Sequence, residues 1–327
     1  MTAMMPHTGA RRNKHWVALI VLFGIFVAIL VSTYPWAQER RHDGKPLTQW
    51  VNERFNALNN SDLSQRENEQ KLFASLGSAI VPDLLSVLET RTGLSIENKL
   101  AQRLLQVSVT RRIARSLDQR VLDAQNSRME ASFLLGALGP VAEPAIPAMI
   151  RIYHSTDQPD WVRSSILDSL RQINRRPVLV VPVCTASLSN SDRFTPQAAA
   201  WTLGDFGTNS TQAIPALRKA LQHPNVLAEL LAAQAIHNID HRAWLDAEDQ
   251  VMPILIKALG TRNKVNRFLA ISLLSQYEAG AEGAVPALVQ IQKEGDPSLS
   301  EAVAKALKKI DPGAAAKAAL NPTAGEP

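Results

Sequence analysis

Six prolines in the same sequence setting constrain this chain more than any other feature. Successive members are separated by 65, 35, 33, 38 and 33 positions, and a spacing in the thirties is typical of a stacked helical repeat. The six marker prolines are Pro82, Pro147, Pro182, Pro215, Pro253 and Pro286. Proline is tolerated in the first turn of a helix and costs about 3 kcal/mol farther along. Each is therefore predicted to mark a helix start, and the double gap predicts one further repeat without its proline.

The residues around the marker prolines repeat as well. Apolar side chains recur one position before, two positions after and six positions after the proline, offsets that share one helical face. Upstream, a first helix carries apolar residues nine and twelve positions before the proline. Sixteen positions before it lies a residue that is small in most units. In the unit of Pro253 these residues lie five positions farther upstream, which predicts an insertion after Ile239. Each unit is thus a first helix A, a short turn and a second helix B.

A helix pair of this kind cannot bury its apolar stripe alone, so neighbouring pairs must stack. The expected fold class is all-α, an α-solenoid of stacked helix pairs. Burying one Leu-sized side chain stabilises by roughly 1.5–3 kcal/mol, and each unit offers several such positions. Aromatic residues make up only 5% of the chain, which suits small helical interfaces better than a β-rich core.

The repeated segments resemble the HEAT-repeat family. The resemblance is carried by LLGALGPVAEPAIPAMI around Pro147, by WTLGDFGTNSTQAIPALRKAL from Trp201 to Leu221, and by LLSQYEAGAEGAVPALVQI from Leu273 to Ile291. It covers residues 67–312. It implies a scaffold that binds another protein without catalysis, and it implies that the B helices line the concave side of the array.

The N-terminal segment Trp16 to Trp36 carries no charge over 21 residues. At 1.5 Å per residue it spans about 31 Å, enough to cross a bilayer core, and aromatic residues at both ends suit its interfaces. Residues 16–36 are predicted to be a transmembrane anchor and residues 1–15 a basic cytoplasmic tail. The repeats then lie on the far side of the membrane, in a bacterium the periplasm. A cleaved signal sequence, with secretion of the repeats, is the alternative.

Residues 37–66 are predicted to form a juxtamembrane linker with a short amphipathic helix. A short motif here resembles the block that follows the membrane segment in bacterial membrane-attached HEAT-repeat proteins; its residues are Gly44, Pro46, Leu47, Trp50 and Val51. Trp50 is expected to cap the first repeat. At the other end, residues 313–327 are rich in Ala, Pro and Gly and are predicted to be a disordered tail.

The sequence offers little chemistry. No nucleophile elbow, zinc-protease motif, P-loop or dinucleotide fingerprint occurs. His237 and His241 are four residues apart, a spacing that can place two metal ligands on one helical face, but they straddle the end of a helix A, so a turn role is favoured. The iron-dependent deoxyhypusine hydroxylases, which have HEAT-type repeats, use His-Glu pairs, and this chain has none. We expect no cofactor, no metal and no catalysis; a lyase-like or metal-dependent enzyme is the alternative.

The predicted binding site lies four positions after the marker prolines. Arg151, Lys219 and Lys257 occupy this position in three B helices, and Arg218 adjoins them. We predict that these four cations contact an acidic partner protein; an anionic polysaccharide or lipid headgroups would suit them too. The formal net charge of +5 also leaves open a basic solenoid that binds nucleic acid, which a far-side location disfavours. Cys184, the single cysteine, falls in a core position and is expected to be structural.

Overall fold

The computed structural model describes residues 40–59, 62–89, 111–155 and 158–320. Within them the chain is helical apart from one short hairpin and the connecting turns. It divides into two compact units, Met1–Trp50 and Val51–Pro327. The predicted cytoplasmic tail and the predicted anchor or signal sequence, residues 1–36, lie outside the described residues.

The first unit contains the hairpin. Strand β1 (Arg41–His42) pairs antiparallel with β2 (Lys45–Pro46), and the turn residues Asp43 and Gly44 both have positive φ. An Asp-Gly turn of this kind matches the twist of a tight hairpin, a signal that our sequence analysis missed. Helix α1 (Leu47–Leu58) follows directly, where an amphipathic helix was predicted. The side chain of Trp50 is 3% exposed, and its ring centroid lies 4.6 Å from that of His42.

In the second unit the helices form pairs. The A helices are α2 (Leu63–Leu76), α4 (Arg111–Ala137), α6 (Asp160–Ile173), α8 (Thr195–Asp205), α10 (Val226–Ile239) and α13 (Lys264–Leu274). The B helices are α3 (Val81–Leu88), α5 (Ile146–Tyr153), α7 (Pro177–Ser187), α9 (Ile214–Ala220), α12 (Glu248–Leu259) and α14 (Val285–Glu294). A short α11 (His241–Leu245) lies between α10 and α12, and α15 (Pro297–Ile310) and α16 (Pro312–Leu320) follow α14.

The core has the predicted register. The side chains two positions after the marker prolines are fully buried: Leu84, Met149, Cys184, Leu217, Leu255 and Leu288. Those twelve positions before, with the insertion allowed for, are fully buried too: Leu135, Leu170, Leu203, Ile236 and Leu274. The marker prolines themselves are exposed. Successive A helices contact one another from α4 to α10, so the second unit is an all-α stack of helix pairs.

Two glycines allow the A helices to approach closely. A Cβ on Gly136 of α4 would lie 3.0 Å from the Cα of Ser169, and one on Gly204 of α8 would lie 3.1 Å from the Cα of Ala235. Both glycines are eleven positions before their marker proline. Gly136 and Gly204 both lie inside their helices, where the next unit leaves no room for a side chain.

Hydroxyl groups bridge the same helix interfaces. The Oγ of Ser169 donates to the carbonyl of Ser132 in the preceding A helix at 2.7 Å. Thr202, in the same repeat position, donates to the carbonyl of Ala198 in its own helix at 2.7 Å and lies 3.2 Å from the carbonyl of Leu167 in the preceding A helix. Buried hydroxyl groups need such partners, and for Ser169 the nearest partner belongs to the neighbouring unit.

Two marker prolines do not mark helix starts. Helix α7 begins five residues before Pro182, and α12 begins five residues before Pro253. An internal proline removes the hydrogen bond to the carbonyl four residues earlier. Those carbonyls belong to Val178 and Asp249, two exposed residues, where water can replace the missing donor. Four of the six helix starts were therefore predicted correctly to within one residue.

The predicted additional repeat does not lie between the units of Pro82 and Pro147 in the stack. Helix α3 contacts α4 and α5 directly, so the units of Pro82 and Pro147 are adjacent in the stack. Part of the long sequence gap is taken up by α4, which has 27 residues. The sequence spacing was misleading because it records chain length, whereas stacking depends on which faces meet. Residues 90–110 lie outside the described ranges.

The predicted disordered tail begins as a helix. Residues Pro312–Leu320 form α16, with proline in the first turn and the Asp311 carboxylate accepting from the backbone N–H of Ala314 at 2.9 Å. Alanine has the highest intrinsic helix propensity, and α16 contacts α15 and α14. Composition alone was therefore a poor guide up to Leu320.

No single helix in the described ranges has both the length and the apolar composition of a membrane span. One bent pair, Leu63–Phe73 with Gly77–Leu88, reaches that length and composition jointly, across a bend of 90°.

Leu203→Asp tests the core register. Leu203 is fully buried in α8, so the substitution places an unpaired charge in the interface and should lower the free energy of unfolding by several kcal/mol. The matched control is Ser272→Asp, which adds the same charge at an exposed position of another A helix and should change little. Urea unfolding followed by circular dichroism measures both. Equal stabilities would contradict the register.

Candidate binding face

The candidate site is the B-helix face, defined by the six marker prolines and the residues three and four positions after each. The prolines are exposed. The residues three positions after them are Leu85, Ile150, Thr185, Arg218, Ile256 and Val289; all are half-buried except Ile256, which is 37% exposed. The residues four positions after are Ser86, Arg151, Ala186, Lys219, Lys257 and Gln290. The face therefore combines an apolar, proline-rich floor with a polar edge.

Arg151 lies on this face as predicted, and it is engaged by a neighbouring unit. Its Nη2 is 3.1 Å from the Oε1 of Glu89, which directly follows α3. The Arg151 side chain is 69% exposed, so this ion pair is screened by water and contributes little to stability. It does reduce the positive charge that Arg151 presents to a partner.

Lys257 and Arg218 are engaged as well. The Nζ of Lys257 lies 3.1 Å from the Oε2 of Glu229, whose side chain is 9% exposed. Arg218 is half-buried, and its Nη2 donates to the carbonyl of Ala243 in α11 at 3.1 Å. Both cations therefore connect their B helix to residues of the α10–α11 segment.

Lys219 differs from the other three. It is exposed, and among the described residues no ion pair or hydrogen bond of its side chain is found. The four predicted residues lie on α5, α9 and α12; the intervening α7 carries Ala186 at the corresponding position. The structure therefore does not gather them into one cationic cluster, and their role as partner contacts stays a prediction.

A groove along α12 is a feature of the B-helix face that the sequence analysis missed. It has a volume of about 660 Å³ and is lined by Glu248, Asp249, Met252, Pro253, Ile256 and Lys257. Because α12 begins five residues earlier than predicted, Glu248 and Asp249 lie on the first turn of the helix. The acidic pair ahead of an apolar helical stripe was the signal that would have located them.

The histidine pair is part of an aromatic cluster. The ring centroids of His237 and His241 are 5.6 Å apart and meet edge to face, and His237 lies 5.4 Å from Trp244. Trp244 is fully buried and stacks on Tyr277 at 4.5 Å. The predicted insertion after Ile239 is confirmed as α11, which supplies this tryptophan. Across the described part of the chain, no group of three or more His, Cys, Asp or Glu side chains is arranged to hold a metal ion.

Burial controls the titration of several groups outside the B-helix face. It raises the pKa of the Cys184 thiol to about 12. Burial also raises the pKa of Tyr277, and the negative charge of Glu248 adds to that effect. The pKa of Glu130 is raised by burial, which a hydrogen bond from Asn52 at 2.8 Å partly offsets. These shifts follow from desolvation of the charged form.

Comparison with known proteins identifies part of the repeat array. Residues 146–240 match the model of a family described as HEAT repeats. No curated protein matches the chain. The match covers α5 of the Pro147 unit, both helices of the Pro182 and Pro215 units, and α10 of the Pro253 unit.

Solved structures are similar at low identity. A chain from the complex of CpcE and CpcF of phycocyanin lyase from Nostoc sp. PCC7120 has 20% identity and a TM-score of 0.42, covering 89% of this chain and 97% of that chain. YibA from Escherichia coli has 15% identity and a TM-score of 0.41, covering 87% and 98%. Human deoxyhypusine hydroxylase in complex with glycerol has 17% identity and a TM-score of 0.30, covering 80% and 96%.

Substitution of Lys257 tests whether its ion pair with Glu229 stabilises the fold. Lys257→Met leaves the buried Glu229 carboxylate without its cation and should lower the free energy of unfolding by about 1–3 kcal/mol. Lys219→Met, the matched change at the unpaired position, should stay within about 0.5 kcal/mol. Urea unfolding measures both. Glu229→Gln combined with Lys257→Met should recover part of the loss; equal effects of the two single changes would refute the role of the pair.

The thiol of Cys184 should be unreactive in the folded protein. Only the thiolate attacks a disulfide reagent, and a pKa of about 12 leaves almost none at pH 8. We expect no labelling by a chromogenic disulfide reagent in buffer and complete labelling in concentrated urea. The control is Ala186→Cys in a Cys184→Ala background, an exposed position of the same helix, which should react at once. Rapid labelling of native Cys184 would show that α7 is not packed as described.

Proposed function

We propose that this chain, a HEAT-repeat protein, is a non-catalytic scaffold that is anchored in a membrane and binds a partner protein through its B-helix face. The observation that carries the proposal is the periodic floor of that face. Each of the six units contributes one exposed proline beside a position that is apolar in four of them: Leu85, Ile150, Ile256 and Val289.

An interface of this kind is suited to a protein partner. The A helices stack on one another, and the B-helix face keeps an exposed proline in every unit and partly exposed apolar residues at a regular repeat spacing. Stacked repeats present extended surfaces to their partners. Protein interfaces combine an apolar centre with a polar rim, and the prolines with their flanking Arg, Lys and Gln residues provide both.

The charge of the face is mixed along its length. Lys219 is available to pair with an acidic group of a partner. The other three predicted cations, Arg151, Arg218 and Lys257, already have acceptors within the chain. We propose that an acidic contact of the partner is limited to the surroundings of Lys219, with Arg151 available after exchange of its exposed ion pair. Such pairs influence association rate and specificity more than affinity.

The absence of catalysis and the membrane anchor are both part of the proposal. The buried, protonated thiol of Cys184 is unsuited to nucleophilic chemistry, and the pair of His237 and His241 packs against Trp244. Anchoring rests on the uncharged apolar stretch of residues 16–36, with the repeats on the far side of the membrane. Nucleic acid would not be present in that compartment in quantity.

Site-specific photo-cross-linking in intact cells tests the proposal. A photoreactive amino acid at Pro215 or Lys219 should give an adduct with one defined protein, because both positions are exposed on the B-helix face. The control position is Ser272, which is exposed on an A helix and should not capture that protein. The partner is then purified and its affinity for the full-length chain is measured by calorimetry.

We expect Lys219→Glu to weaken that purified interaction by about tenfold, the effect of one lost charge contact of about 1.4 kcal/mol. Gln290→Glu places a glutamate at the corresponding position of α14 and serves as a comparison for non-specific repulsion. Adducts that form equally from Ser272, or a captured protein that does not bind when purified, would refute binding through the B-helix face.

A further inference from the structure

The groove on α12 has the geometry of a docking site for a helix or an extended segment. Its lining residues fall into two adjacent rows of one helical face: Glu248, Met252 and Ile256 in one row, and Asp249, Pro253 and Lys257 in the other. Spacings of four residues place each row along the helix axis. Its volume is about 660 Å³, and because all of its lining residues belong to α12 it is an open surface groove, suited to a segment that lies along the helix.

The floor of the groove is apolar. Ile256 is 37% exposed although it is a large aliphatic side chain. Met252 is half-buried, and Pro253 is exposed beside it. The opposite side of α12 is fully occupied, because Val251, Leu255 and Leu259 are buried in the core. Met252 and Ile256 therefore keep part of their apolar surface outside the core, and this part offers an apolar strip to a second molecule.

The charges of the groove are unevenly matched. Lys257 at one end is already paired with Glu229 at 3.1 Å. At the other end, Glu248 and Asp249 lie in the first turn of α12, and no cation pairs with either of them within the described ranges. Gly280 lies beside this end of the groove, since a Cβ at that position would be in ordinary contact with the Oε1 of Glu248, at 3.5 Å. The groove thus ends in two unmatched carboxylates.

We propose that the α12 groove receives a cationic amphipathic segment of the partner protein. Apolar side chains of that segment lie on Met252, Pro253 and Ile256, and its Lys or Arg residues pair with Glu248 and Asp249. Recognition of an amphipathic helix by an apolar groove with matching charge is a recurrent mode. This inference rests on the proposed function and specifies the chemistry of the partner at one end of the B-helix face.

Peptide binding to the full-length chain in zwitterionic nanodiscs tests the inference. The probes are two fluorescent helical peptides with the same leucine pattern, one with lysine and one with glutamate at every polar position. We expect the lysine peptide to bind and the glutamate peptide to bind at least tenfold more weakly, as measured by fluorescence anisotropy. Empty nanodiscs report any binding to lipid, which is subtracted.

Matched variants locate the binding. Glu248→Gln/Asp249→Asn should weaken the lysine peptide about tenfold, whereas Asp123→Asn/Glu301→Gln removes the same charge from two other helices and should change binding less than twofold. Ile256→Ser should weaken both peptides. Unchanged melting temperatures show that each variant is folded. Equal binding of the two peptides, or equal binding by the two double variants, would overturn the inference.

Cross-linking separates failure of this inference from failure of the proposed function. A photoreactive residue at Ile256 should capture the same protein as one at Lys219, and mass spectrometry should place the adduct in a Lys- or Arg-rich segment. Capture at Lys219 without capture at Ile256 overturns the groove and leaves the scaffold. An adduct between two copies of this chain at Ile256 overturns the groove in favour of self-association. No defined partner at either position overturns both.

Discussion

The close approach of successive A helices is the constraint on which the rest of the structure depends. At Gly136 and Gly204 the next unit comes within about 3 Å of where a Cβ would lie, so the helix axes are set by backbone contact. Ser169 and Thr202 then reach the preceding helix with their hydroxyl groups. The B helices keep one side on which every marker proline is exposed, and that side is the candidate binding face.

The same stacking decides which charges remain available. Neighbouring units bring Glu89 within 3.1 Å of Arg151, and the two helices of one unit bring Glu229 within 3.1 Å of Lys257. An exposed pair such as the first is weak, but the carboxylate of the second pair is nearly buried and holds its lysine firmly. Arg151 and Lys257 have no obvious partner in the sequence, but in the structure each pairs with a carboxylate. The B-helix face is therefore mixed in charge.

The insertion that forms α11 changes the character of its unit. Trp244 from α11 stacks on Tyr277 of the next unit and fills the space that a glycine-rich turn occupies elsewhere. Helix α12 then begins at Glu248, five residues ahead of its marker proline, and two carboxylates become part of the B-helix face. The inserted segment thus supplies Trp244 of the aromatic cluster, and the early start of α12 supplies the acidic end of the groove.

The sequence by itself determined the all-α class, the helix pairs and the buried register, because apolar side chains at helical spacing leave one arrangement that removes them from water. It also located the insertion after Ile239 and the helix at Leu47. Tertiary structure decided which units are adjacent, that Pro182 and Pro253 lie within helices, and that α16 continues past Pro312. It alone decided that Arg151 and Lys257 are paired while Glu248 and Asp249 are unmatched. The physical reason is that periodicity reports the environment of a residue along its own helix, whereas the partner of a charge belongs to another helix and is set by how the two are packed.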